Sequence, residues 1–83
     1  MSKPNAVLTI TEHLEDSSEW EVRIETQDGL HSDETTINPT SDDAPCGADQ
    51  LWGYDAGDEF LAEVEANPDD TLTIKKITAP YTY

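Results

Sequence analysis

Between Gly53 and Asp70 the chain reads GYDAGDEFLAEVEANPDD, with seven carboxylates and neither lysine nor arginine. Carboxylates this close together could share a proton as an acid–base pair, hold a hard divalent cation, or present negative charge to a partner. Acid–base catalysis needs a shaped pocket with partners at fixed geometry. The two histidines, His13 and His31, fall near turns or an edge, where a solvated role is expected. No Gly-x-Ser-x-Gly, P-loop or dinucleotide fingerprint occurs. Four glycines are too few for a phosphate-cradling loop, and 83 residues leave little room for an enclosed pocket of roughly 300 Å³ beside a core. The expectation is a protein that is not an enzyme.

Metal chemistry finds little support. Zinc needs Cys and His at close spacings, which one cysteine and two scattered histidines do not provide. The acid pairs at 42–43 and 69–70 and the DAGDE run at 55–59 would attract Ca²⁺ or Mg²⁺ diffusely. None follows the alternating ligand spacing of an EF-hand. No metal and no cofactor are expected. Cys46 stands alone, so no internal disulfide forms and an oxidising compartment is not implied.

Charge is what remains. There are 19 acids against 4 bases, a formal charge of −15, with the bases at Lys3, Arg23, Lys75 and Lys76. From Ile24 to Ile74 the chain has 14 acids and no lysine or arginine. Such a balance repels nucleic acid and anionic lipid and favours a cationic partner. The N-terminus lacks the apolar run of a signal peptide, and nothing approaches the ~20 apolar residues of a membrane span. The default is a cytoplasmic protein, a single small acidic domain over residues 1–83. Leu, Ile, Val and Phe total only 15 residues, so the core should be thin.

The elements that position the acids follow from periodicity. AVLTITE (6–12) and WEVRIET (20–26) alternate apolar and polar residues, the pattern of half-buried strands, and should pair through the polar HLEDSSE. Asp28-Gly29 signals a tight turn into a third strand near 30–37, an acid-guarded edge. NPTSDDAPCGADQ (38–50) is loop-like. Phe60, Leu61 and Val64 cluster within about 100° at 3.6 residues per turn and predict a short helix, with Asp55 as N-cap and Asn67-Pro68 as its end. TLTIKKIT (71–78) closes the chain as a strand, with a bulge or bend near Lys75 and Lys76 where Ile77 breaks the alternation. The expected fold is α+β, a small antiparallel sheet of about four strands with one short helix in the order β-β-β-α-β.

On that helix Asp58 and Glu65 would flank one side of the apolar arc, Glu59 and Glu63 the other. Asp42 and Asp43, with Asp69 and Asp70 beyond the helix end, would extend the charge. Along a strand, alternate residues stand about 6.6 Å apart, near the spacing of phosphates on an extended nucleic-acid backbone. Carboxylates so arrayed would fit a Lys/Arg groove made for DNA or RNA. Trp52 and Tyr54 lie among the acids and would anchor such a contact, since hot spots favour these residues. Tyr81 and Tyr83 could serve similarly. The competing source of the charge is salt adaptation, which ten threonines and three lysines also fit.

The opening MSKPNAVLTITE, a polar turn, then EVRIETQDG resembles the N-terminal hairpin of some small phage-encoded anti-CRISPR proteins. The acidic helix and the size are similar to the DNA mimics among them. The resemblance implies stoichiometric binding to a Cas protein or Cascade-type complex inside the host cell, without turnover; it carries no residue role with it. Immunity proteins against basic nuclease toxins look similar in composition. The expected partner is thus a basic nucleic-acid-binding protein, with no direct contact to nucleic acid or membrane, and with this chain a monomer or small homodimer.

Overall fold

The computed structural model describes residues 4–14, 16 and 18–81. Five strands form one antiparallel sheet: β1 (Ala6–Leu14), β2 (Glu19–Thr26), β3 (Ser32–Ile37), β4 (Glu59–Ala66) and β5 (Leu72–Pro80), in the spatial order β3-β2-β1-β4-β5. A short 3-10 helix, Ala48–Gly53, is inserted between β3 and β4. This overturns the expected α+β fold. The protein is a curled, half-closed barrel of strands, and no α-helix occurs among the described residues.

The segment expected to be helical is β4, and its sequence explains why. Phe60, Ala62 and Val64 face inward and are buried, while Glu59, Leu61, Glu63 and Glu65 take the other side. Three apolar residues satisfied a helical arc only because Leu61, an outward residue, is also apolar. The two-residue period runs through the whole segment, and pairing with β1 and β5 on either side makes that period pay. Asp55 caps no helix. Its N–H donates to the Asp58 carboxylate at 2.9 Å, within a turn that Gly57 closes at φ +100°.

Bulges keep the apolar residues on the inner face. Leu8 and Ile10 point inward, and so does His13 three residues on, because the register slips between Ile10 and Glu12. Thr11 is the extra residue, its hydroxyl donating to the Glu21 carbonyl at 3.0 Å. In β5 the same device appears at Lys75, between Ile74 and Lys76, and again at Thr78. The expected irregularity near Lys75 and Lys76 is therefore present, and it returns Ile77 to the core. Trp20, Val22 and Ile24 from β2 and Phe60 from β4 meet Leu8, Ile10 and Ile77 inside. From the 3-10 helix, Ala48 and Leu51 fill the barrel mouth. Among the described residues every fully buried residue is hydrophobic.

The open side between the two edge strands is bridged directly at one end and through the 38–58 connection at the other. At one end Asp33 of β3 accepts the Leu72 N–H of β5 at 3.0 Å and also the N–H of Glu34. At the other, the Ile77 N–H donates to Cys46 at 2.7 Å, and the Gln50 amide donates to the Ile77 carbonyl at 3.0 Å. Asp33→Ala should cost about 1.5–3 kcal/mol, the range for hydrogen bonds to charged groups. Asp33→Asn keeps one acceptor oxygen and should cost about half that. Denaturant melts measure both, and hydrogen exchange at the Leu72 amide should accelerate in the alanine variant.

Candidate functional site: an acidic connection around Trp52

The two ends of the sheet separate the expected site residues. The 38–58 connection, with Asp42, Asp43, Trp52, Tyr54, Asp55 and Asp58, lies at the end where β3 finishes and β4 begins. Asp69 and Asp70 lie in the β4–β5 turn at the opposite end. Glu59, Glu63 and Glu65 run along the outward side of β4 between them. The structure thus joins the first group and leaves Asp69 and Asp70 apart.

Two of the acids expected on a helix have a lysine beside them. Lys76 stands opposite Glu63 in the ladder, and Lys75 pairs with Glu65 at 3.2 Å. Arg23 lies 3.9 Å from Glu25 and opposite Glu34. Each exposed ion pair contributes little to stability, about 0–1 kcal/mol. Their importance is local: a span without bases in sequence acquires bases in space once β5 lies beside β4.

Several aspartates are occupied by the fold. The Asp28 carboxylate accepts from the Thr26 hydroxyl at 2.6 Å and the Leu30 N–H at 2.9 Å. Asp69 accepts from the hydroxyl and N–H of Thr71. These bonds favour the charged form, and first among them the threonine hydroxyls hold both carboxyls below the ordinary 3.8. Asp42, Asp43, Asp49 and Asp55 are exposed. Residues 38–58 contain five aspartates and no lysine, arginine or histidine.

Trp52 is presented at an aromatic corner. His13 stacks on Trp20 with ring centroids 3.6 Å apart and planes 5° from parallel. Trp52 meets both edge-on, at 6.3 and 6.2 Å, and remains 49% exposed. Such contacts fix a large ring at the surface before any partner arrives, which lowers the ordering cost of using it. Tyr54 is turned the other way, edge-on to Phe60 at 4.9 Å, and packs against the core. Tyr83 lies outside the described residues. His13, expected to be a solvated turn residue, instead closes the inner face of β1; the Thr11 bulge that turns it inward was the missed signal. Its Nε2 and the Trp20 Nε1 are buried without a hydrogen-bond partner among the described residues.

On the outer face Glu12 and Glu21 oppose each other where the bulge brings β1 and β2 into register. A hydrogen bond with Glu12, then lesser desolvation and the charges of Glu12 and Glu34, push the Glu21 carboxyl above the ordinary 4.5. A raised carboxyl favours the folded state as pH falls through its folded pKa toward 4.5. The depressed Asp28 and Asp69 act oppositely, their contribution being lost as pH falls below 3.8. Stability should therefore rise on mild acidification and fall again below 3.8. Glu21→Gln should raise the melting temperature at neutral pH and flatten the acid-side rise, read from thermal melts across pH.

Among the described residues no three His, Cys, Asp or Glu side chains gather closely enough to hold a metal ion. Cys46 is exposed and forms no disulfide among the described residues, and its backbone is bridged to Lys76. No described helix is long and apolar enough to cross a membrane. Fold and site together define an acidic five-stranded half-barrel with an aromatic corner inside its longest connection. No protein-family model, no curated protein and no solved structure matches the chain.

Proposed function

We propose that this protein is a non-enzymatic acidic binder that occupies a basic, nucleic-acid-binding surface in place of the nucleic acid. The observation that carries this reading is the 38–58 connection: five aspartates, no base, and Trp52 held half exposed at a stacked corner. An aromatic anchor within a connection whose charges are all of one sign suits a groove in which arginines and lysines flank a flat recess. Nuclease or defence proteins, Cas proteins included, supply such grooves. With the acidic helix gone, the resemblance to anti-CRISPR proteins rests on the N-terminal hairpin and on composition. It still favours that partner class and a cytoplasmic site of action.

Immobilised protein should recover a basic partner from the host lysate, and duplex DNA or RNA should displace that partner competitively. Recovery of a partner that holds nucleic acid at the same time would contradict mimicry. The salt-adapted reading draws on a different observation, the spread of acids over both sheet ends and the outer face. On that reading hydrated cations match the charge and no partner is needed.

A further inference from the structure

The 3-10 helix Ala48–Gly53 divides its residues among three faces, and one of them is turned to solvent. A 3-10 helix has three residues per turn, so residues i and i+3 lie one above the other. Ala48 and Leu51 form the first face and are buried, at 2% and 0% exposure. Gln50, on the second, donates to the Ile77 carbonyl at 3.0 Å and anchors the helix to β5. Asp49 and Trp52 make up the third, and both are exposed. One turn, about 6 Å, separates them along the axis. The Asp49 carboxylate has no hydrogen-bond or ion-pair partner among the described residues. Trp52 stands 83° and 86° from the His13 and Trp20 planes at nearly equal distances, so their stack walls one side of the indole. The rim beyond it is open: Gly53 has no side chain, and nothing lies within 4 Å of a Cβ added there.

From this face we infer that Asp49 and Trp52 together seat one arginine side chain of the partner. The guanidinium lies flat on the open side of the indole, and its N–H edge donates to the Asp49 carboxylate. Stacking and a two-pronged, charge-assisted hydrogen bond both call for a planar cation with donors in its plane. A lysine ammonium is a compact point charge and offers no plane to stack. A quaternary ammonium is a poor occupant, because it is held by several aromatic faces at once. Here one face is presented, since Tyr54 is turned away onto Phe60. Each half of the seat serves the other: the carboxylate aligns the guanidinium over the ring, and the ring holds it against the carboxylate.

The inference rests on the acidic-binder reading, from which the partner's basic character is taken, and one experiment separates the two. The probes are hexa-arginine and hexa-lysine, equal in charge. Each is titrated into the intact protein in dilute buffer while amide and indole N–H signals are followed by NMR. Hexa-arginine should bind about fivefold tighter, the increment of an exposed cation–π contact, with its largest shifts at the Trp52 indole and the Asp49 amide. Asp49→Ala and Trp52→Ala should each bring the two peptides to within about twofold of one another. Asp70→Asn, which removes one charge in the far turn, should keep the preference, and melts confirm that the variants fold. Equal binding of the two peptides, or an arginine preference that survives Asp49→Ala, would overturn the seat and leave the acidic-binder reading standing. Failure of both peptides to bind would overturn both.

Discussion

Gly47→Ala should be among the most damaging single substitutions in the protein, costing roughly 3–5 kcal/mol against a total expected to be about 5–15 kcal/mol. Gly47 holds φ +86°, a region in which an L side chain is itself strained by about 1–2 kcal/mol. The larger part is steric. A Cβ at this position would lie 2.1 Å from the Ile77 carbonyl oxygen, a backbone atom that cannot turn aside. Relief requires the 44–50 segment to leave β5. That sacrifices the Ile77 to Cys46 bond and the Gln50 clamp, and lifts Ala48 and Leu51 from the barrel mouth. Gly29→Ala is the control: φ is +75°, but nothing lies within 4 Å of its added Cβ. It should cost about 1 kcal/mol. For a domain of this size each kcal/mol lowers the melting temperature by about 4–8 °C, so the two variants should separate clearly in a thermal melt.

Trp52→Ala should weaken partner binding by about 2 kcal/mol, roughly thirtyfold in Kd. The ring is held before contact and half exposed within a connection that carries no positive charge, the setting in which an aromatic anchor counts most. Changing Asp42, Asp43, Asp49 and Asp55 together to asparagine should cost a comparable amount at low salt and less at high salt, because exposed charges are screened beyond about 10 Å. Asp70→Asn is the control for a single charge removed elsewhere. Asp70 lies in the far turn at φ +70°, which asparagine tolerates, so neither fold nor binding should change. Competition binding against the recovered partner, with melts as a folding check, reads all three. A loss for Asp70→Asn of about a quarter that of the four-aspartate variant, equal per charge removed, would mean that net charge acts without a site.

Much of the sheet was legible because its strands alternate. Leu8 with Ile10, and Trp20 with Val22 and Ile24, announce β1 and β2, and Ile77 announces the break in β5. The failure at β4 has a local cause in Leu61, and a contextual one in Asp55 and Asp58, which resemble capping residues while serving a turn. The pairing of Glu65 with Lys75, and the placing of Lys76 opposite Glu63, were beyond local reading, since they depend on β5 folding back beside β4. The same holds for Asp33, whose bond to Leu72 spans the sheet edges, and for Asp28 and Asp69, which counted as free charge until their threonine partners were placed. The corner at Trp52 was half legible: the tryptophan among acids stood out, whereas the supporting stack needed a bulge at Thr11 that no turn residue marks.

A melting series from millimolar to molar salt tests the central claim most directly. If the carboxylates of the connection await a partner's groove, the half-barrel should be fully folded in dilute buffer and gain only modestly as salt screens its self-repulsion. A protein unfolded in dilute buffer that folds only as salt approaches molar levels would show that dissolved cations, and not a partner, match this charge.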